Sequence, residues 1–119
     1  MKQTSDFIKK VIDEFNANDN RITATYPLIG EADAKYPFVT YSVERRPRIS
    51  KDGFFEYEIQ VRVIDDNYNN LCIIIDEFDS FVDEHYRREL NYQGTEPEIN
   101  PDKPEEYIIT STYVLTKNG

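Results

Sequence analysis

Hydrophobic positions along the chain recur first at helical spacing, then by alternation, then at helical spacing again, and these changes of period mark out its elements. In "SDFIKKVIDEFNAN", Phe7, Ile8, Val11, Ile12 and Phe15 form one apolar stripe. Thr4 or Ser5 is placed to cap that helix, with Asp6 at the positive end of its dipole, and "NANDNR" closes it with turn-forming residues. "ITATYP" reads as a short strand ended by Pro27, and "IGEADAKYP" as a loop. "FVTYSVERR" puts Val39, Tyr41 and Val43 on one face of a strand. The clearest alternation is "FFEYEIQVRVI", with Phe55, Tyr57, Ile59, Val61 and Val63 against Glu56, Glu58, Gln60 and Arg62. That is the pattern of a sheet with one dry and one wet face. Between these two strands Pro47 interrupts, and "KDG" offers turn chemistry in which Gly53 is free to take a positive φ, so the pair is expected to be a hairpin.

Asp66 or Asn67 then caps a second helix. Its stripe runs through Tyr68, Leu71, Cys72, Ile75, Phe78, Val82 and His85 at steps of three and four, widened by Ile74 and Phe81. "INPDKPEE" reads as a polar connection broken by proline. In "EYIITSTYVLT" both alternating sets are partly apolar, which suggests a central strand or an oligomer contact. The expected order is α-β-β-β-α-β. It describes one α+β domain over residues 1–119, with a mainly antiparallel sheet of about four strands and two helices packed on one face.

Composition narrows the classes open to such a domain. The chain carries 23 acidic and 14 basic residues, a formal charge of −9, which disfavours nucleic acid and anionic membranes as partners of its general surface. Hydrophobic residues at 39% and aromatic residues at 13% supply enough apolar surface for a core. The one cysteine, Cys72, cannot form an intrachain disulfide. "MKQTSDFIKK" lacks the apolar stretch of a signal peptide, and no run of about 18 apolar residues is present, so a soluble chain kept in a cytoplasm is expected.

Catalytic chemistry finds no purchase in the motifs. His85 is the single histidine and falls on an apolar stripe; Cys72 shares that stripe, and no Ser or Cys sits in a nucleophile motif. "IDDN" and "DEFDSFVDE" hold acidic clusters, yet neither has the glycine-turned oxygen loop of a calcium site. The four glycines form no phosphate-binding array. No catalytic residue, metal or cofactor is expected, and the acids of the second helix read as a solvated face.

Against the acidic background, "ERRPRISKDG" concentrates Arg45, Arg46, Arg48 and Lys51 at the far end of the hairpin. Such a tip can simply discourage aggregation of sheet edges. Arginine also grips carboxylates through two parallel hydrogen bonds, and this chain offers many carboxylates of its own. A basic arm on an acidic body is self-complementary, which is how a head-to-tail ring is assembled.

The stretch "YPFVTYSVERRPRISKDGFFEYEIQVRVIDDNYNNLCIIIDEFDSFV" resembles the tail-completion, or tail-terminator, proteins of long-tailed bacteriophages and prophages. The likeness lies in a "P-(F/Y)-(V/I)-x-Y" strand at Pro37 to Tyr41, a polar hairpin, an alternating strand, and a helix opened by "NYNNL". In element order it covers roughly residues 3 to 116, and it is concentrated in 36 to 82. The resemblance implies a homo-oligomeric ring, typically a hexamer, that caps the head-proximal end of the tail tube and joins it to the head connector. It also implies a place in the virion neck after assembly in the bacterial host cytoplasm, with DNA passing through without specific binding and no membrane partner. On this reading Arg45, Arg46, Arg48 and Lys51 contact carboxylates of a neighbouring subunit or of a tube or connector protein. An alternative from another class is a small acidic inhibitor of a basic, nucleic-acid-binding partner, presenting Asp76, Asp79, Asp83 and Glu84.

Overall fold

The computed structural model describes residues 1–19, 21–30, 33–46 and 54–118. Its elements are α1 (Lys2–Asp19), β1 (Ala24–Pro27), β2 (Phe38–Arg45), β3 (Phe54–Asp65), α2 (Tyr68–Tyr86), β4 (Asn91–Ile99) and β5 (Tyr107–Asn118). The chain is α+β, with both helices on one face of the sheet. The sheet has five strands in the order β1-β2-β3-β5-β4, and it is mixed, because β1 runs parallel to β2 while all other pairs are antiparallel.

Two expectations are corrected here. The sheet has five strands rather than about four, and β4 is the one that the hydrophobic pattern hides. "NYQGTEPEI" contains Gly94 and Pro97, and nearly all of its side chains are exposed. An edge strand of this kind is defined by backbone pairing to β5, which leaves no alternation to read. The second correction concerns β1. Parallel neighbours need a crossover, and among the described residues between β1 and β2 no helix supplies it. Leu28 starts the reversal with a φ of 64°. Gly30 then lies so close to Phe38 that a Cβ there would stand 2.5 Å from the ring, which would have to shift to admit a larger residue. Tyr26 and Tyr36 complete the cover of Phe38, each with ring centroids 5.9 Å away.

The core forms where the two helical stripes meet the dry face of the sheet. Ile8, Val11, Ile12 and Phe15 of α1, and Leu71, Ile74, Ile75, Phe78 and Val82 of α2, are buried. They meet Val39 and Tyr41 of β2, alternate residues of β3 from Tyr57 to Val63, and Ile109, Tyr113 and Leu115 of β5. Val43 and Phe55 complete the two expected faces as partly buried neighbours. β5 lies inside the sheet, between β3 and β4, which explains its two partly apolar faces. The stripe of α2 is narrower than its sequence suggests. Tyr68 and His85 lie at the helix ends and are exposed, and Cys72 is half-buried.

Helix starts follow local hydrogen bonding. Asn67 is the cap of α2: its side chain accepts from the Asn70 backbone N–H at 3.0 Å. Buried Asp65 supports that turn by accepting from the Asp66 N–H at 2.8 Å and from Asn70 Nδ2 at 2.7 Å. At α1 neither expected cap is used. The helix already begins at Lys2, so Thr4 lies inside the first turn and is buried.

Two phenols tie separate parts of the fold to carboxylates. Tyr36, in the crossover, donates to Glu106 Oε2 at 2.7 Å, ahead of β5. Tyr86, at the end of α2, donates to Glu14 of α1. The hydrogen bond to the carboxylate pushes Tyr36 up to about 12, and the same cause pushes Tyr86 up to about 12. A phenol with a raised folded-state pKa holds its proton more tightly in the folded chain. Its stabilisation is therefore complete below the unfolded value of about 10 and is lost as pH rises through about 12. Melting temperature should fall steeply between pH 10 and 12, and the Tyr36→Phe/Tyr86→Phe double variant should fall less. Parallel profiles for the two chains would count against these bonds.

Candidate interaction site

α2 packs chiefly over β3 and β5, and a gap remains between its acidic side and β4. A cavity of about 540 Å³ opens in that gap. Asp76, Ser80 and Asp83 line it from α2, Tyr92 from β4 and Tyr113 from β5, with Val82 and Leu90 as its apolar part.

Asp79 sits at the back of this cavity, within a cluster of hydroxyls. Its carboxylate accepts from Ser111 Oγ at 2.7 and 3.0 Å, from Thr95 Oγ1 at 2.9 Å, and from the Tyr113 hydroxyl. Thr95 Oγ1 also lies 2.8 Å from Ser111 Oγ and contacts the Tyr92 hydroxyl. One arrangement satisfies all four hydroxyls: Thr95, Ser111 and Tyr113 donate to Asp79, and Tyr92 donates to Thr95. Ser111 and Tyr113 are fully enclosed, so these bonds are made where water cannot replace them. Burial, and then the Asp79 carboxylate beside it, pushes the Tyr113 phenol far above its usual range. On the open face of the sheet Glu98 accepts from Thr110 Oγ1 at 2.8 Å and lies 3.6 Å from Arg62. Side chains thus hold edge strand β4 from both faces.

This geometry corrects the reading of α2 as a uniformly solvated acidic face. Asp79 is half-buried and saturated with donors, so it anchors β4. Asp83 pairs with Arg87 at 3.0 and 3.1 Å. Exposed Glu84 lies 3.9 Å from His85, its one ion-pair neighbour among the described residues. Asp76 is exposed and has no ion-pair partner among the described residues. It is the free negative charge of the cavity.

At the hairpin, Arg45 is exposed, with its guanidinium 5.5 Å from the centroid of the Phe55 ring. Arg46 turns back onto its own sheet, 2.8 Å from Glu58 and 3.7 Å from Glu56. The wet-face carboxylates of β3 therefore compensate one of the cations of the arm. Arg48, Lys51, Pro47 and the "KDG" turn lie outside the described residues. The structure thus places Arg45 and Arg46 together, and separately gathers Asp76, Asp79 and Asp83 at the cavity.

Sequence reading passed over Tyr92, Thr95, Ser111 and Tyr113. One signal was present: Ser111 interrupts the apolar, helix-facing set of β5, and a polar side chain on a dry face needs a buried partner. Its partner comes from α2, so alternation within the strand could not name it.

His85 is exposed and tilts against Phe81, with ring centroids 4.6 Å apart. Among the described residues no group of three or more His, Cys, Asp or Glu side chains could hold a metal ion. None of their helices is long and apolar enough to cross a membrane. Comparison with models of known protein families and with curated protein sequences finds no match.

Proposed function

We propose that this chain is a structural, non-enzymatic subunit that assembles with copies of itself into a ring of the tail-terminator kind, typically a hexamer. Such a ring closes the head-proximal end of a phage or prophage tail tube and meets the head connector, in a virion assembled in the bacterial host cytoplasm. One observation carries the reading: opposite charges lie toward opposite edges of one sheet. Arg45 ends β2, and β1 stops at the pair Pro27 and Tyr41, so Ser42–Arg45 has no strand neighbour on its outer side among the described residues. The carboxylates of the α2 cavity lie beside β4, the other edge strand. From β2 to β4 is three strand spacings, roughly 14 Å. Complementary patches that face different ways join copies head to tail, and such a contact closes into a ring when its rotation permits. A formal charge of −9 also suits a ring through which DNA slides without sticking.

Light scattering after size exclusion tests this. Wild type should form a particle of several subunits at low salt that dissociates as salt rises, since exposed ion pairs are screened over about 8–10 Å near physiological salt. Arg45→Glu, Arg46→Glu, Arg48→Glu and Lys51→Glu together should weaken assembly at least tenfold while leaving circular dichroism unchanged. Assembly that survives this reversal would reduce the arm to a solubility device.

Unpaired Asp76 and exposed Glu84 support the second reading, an acidic inhibitor of a basic partner. In that case the chain stays monomeric or dimeric at every salt, and lysine at those two positions abolishes capture of the partner.

A further inference from the structure

Resting on the ring reading, we propose that the cavity between α2 and β4 is the socket for a cationic side chain from the β2–β3 hairpin of a second copy, with Arg45 the cation best placed to enter it. At about 540 Å³ the cavity falls within the roughly 300–1,000 Å³ of pockets that enclose a small ligand, ample for one long side chain. Its chemistry matches a guanidinium or ammonium group on a flexible stem. Asp76 supplies an uncompensated carboxylate at the mouth. Asp83 supplies another, whose Arg87 partner is 75% exposed and free to swing aside when a second cation arrives. Tyr92 is 52% exposed and lines the cavity beside them, an aromatic ring that an incoming cation can pack against. Val82 and Leu90 provide apolar surface for the methylene stem. Asp79 is already fixed by hydroxyl donors, so the wall behind the socket is preorganised.

Arg45 has the complementary properties. It is exposed, has no carboxylate partner among the described residues, and lies over the Phe55 ring. Arg46 is less available, because Glu56 and Glu58 of its own β3 hold it. Arg45 ends β2, separated by β3 and β5 from the cavity beside β4 of its own chain, so the socket it enters belongs to another copy. Electrostatic pairing of this kind sets register and partner choice as well as affinity.

Mixing two defective chains tests the assignment. The first carries the four arm reversals, Arg45→Glu, Arg46→Glu, Arg48→Glu and Lys51→Glu. The second carries Asp76→Arg and Asp83→Arg, both at exposed positions that leave the core intact. At a concentration where wild type assembles at low salt, each should be monomeric, with wild-type circular dichroism. Mixed in equal amounts they should assemble into a particle larger than either chain forms alone. The arm of the second chain meets the socket of the first, and the reversed arm of the first meets the opposite charge of the reversed socket of the second. If the Asp76→Arg/Asp83→Arg chain assembles as wild type does, the socket lies elsewhere and the ring reading stands. A mixture that stays monomeric overturns the pairing of arm with socket. Wild type that remains monomeric at low salt and the highest soluble concentration overturns both.

Discussion

Phe78→Ala will lower the unfolding free energy by about 3–5 kcal/mol, a large part of the roughly 5–15 kcal/mol that holds a domain together. The size follows from position. Phe78 is 1% exposed and joins all three parts of the core. Its ring meets Phe15 of α1 edge-on at 5.2 Å and Tyr113 of β5 at 6.3 Å. Truncation removes a whole aromatic ring from water-free packing and leaves a void between two helices and a sheet, which cannot all move inward together. Urea unfolding should show a lower midpoint at an unchanged slope, because the exposed surface of the unfolded chain hardly changes. Ile73→Ala is the matched comparison on the same helix: Ile73 is 48% exposed, and its loss should stay near 0.5 kcal/mol. A Phe78→Ala loss below about 2 kcal/mol would mean that α1, α2 and β5 do not pack around this side chain.

The second large effect is expected at Asp79. Asp79→Ala removes the acceptor for Thr95, Ser111 and Tyr113 at once. Thr95 and Ser111 can still bond to each other, so the severe penalty falls on the enclosed Tyr113 hydroxyl. An orphaned buried donor costs about 1–3 kcal/mol, and bonds to a charged acceptor are stronger than average, so a total of about 2–4 kcal/mol is expected. Tyr113→Phe alone should cost about 1–2 kcal/mol, and the double variant clearly less than the sum, because the second change removes the orphan left by the first. Strict additivity would rule out a bond between the two. Asp79 also holds β4 through Thr95, so backbone amides of β4 and the adjoining side of β5 should lose hydrogen-exchange protection first, ahead of global unfolding. Uniform loss across the sheet would argue that β4 is held by its backbone pairing alone.

These two positions differ in how readily the chain announces them. Phe78 belongs to an apolar stripe at helical spacing, and its burial was legible before any fold was known. Asp79, one residue on, belonged by the same spacing to a solvated acidic face. Three hydroxyls from β4 and β5 overrule that, and each arrives from at least 16 residues away along the chain. The arginine arm shows the same limit in milder form. The cluster of cations is plain in the text of the chain, whereas the capture of Arg46 by Glu56 and Glu58 depends on cross-strand register, in which Arg45 stands opposite Tyr57.

The two helices, the β2–β3 hairpin, β5 and the apolar faces that form the core were all written in the order of residues. Each is a local matter: a helix or a half-buried strand repeats its burial every few residues, and composition records that repeat. It also determined the imbalance of charge, because charge is a sum over residues. Only the assembled fold sets β1 parallel to β2, turns a polar segment into edge strand β4, and opens a cavity between α2 and β4. It alone turned Asp79 into an anchor and left Asp76 as the free charge of a cavity. These features rest on pairings between distant parts of the chain, where backbone hydrogen bonds and buried hydroxyls set the outcome and the hydrophobic pattern carries no record of it.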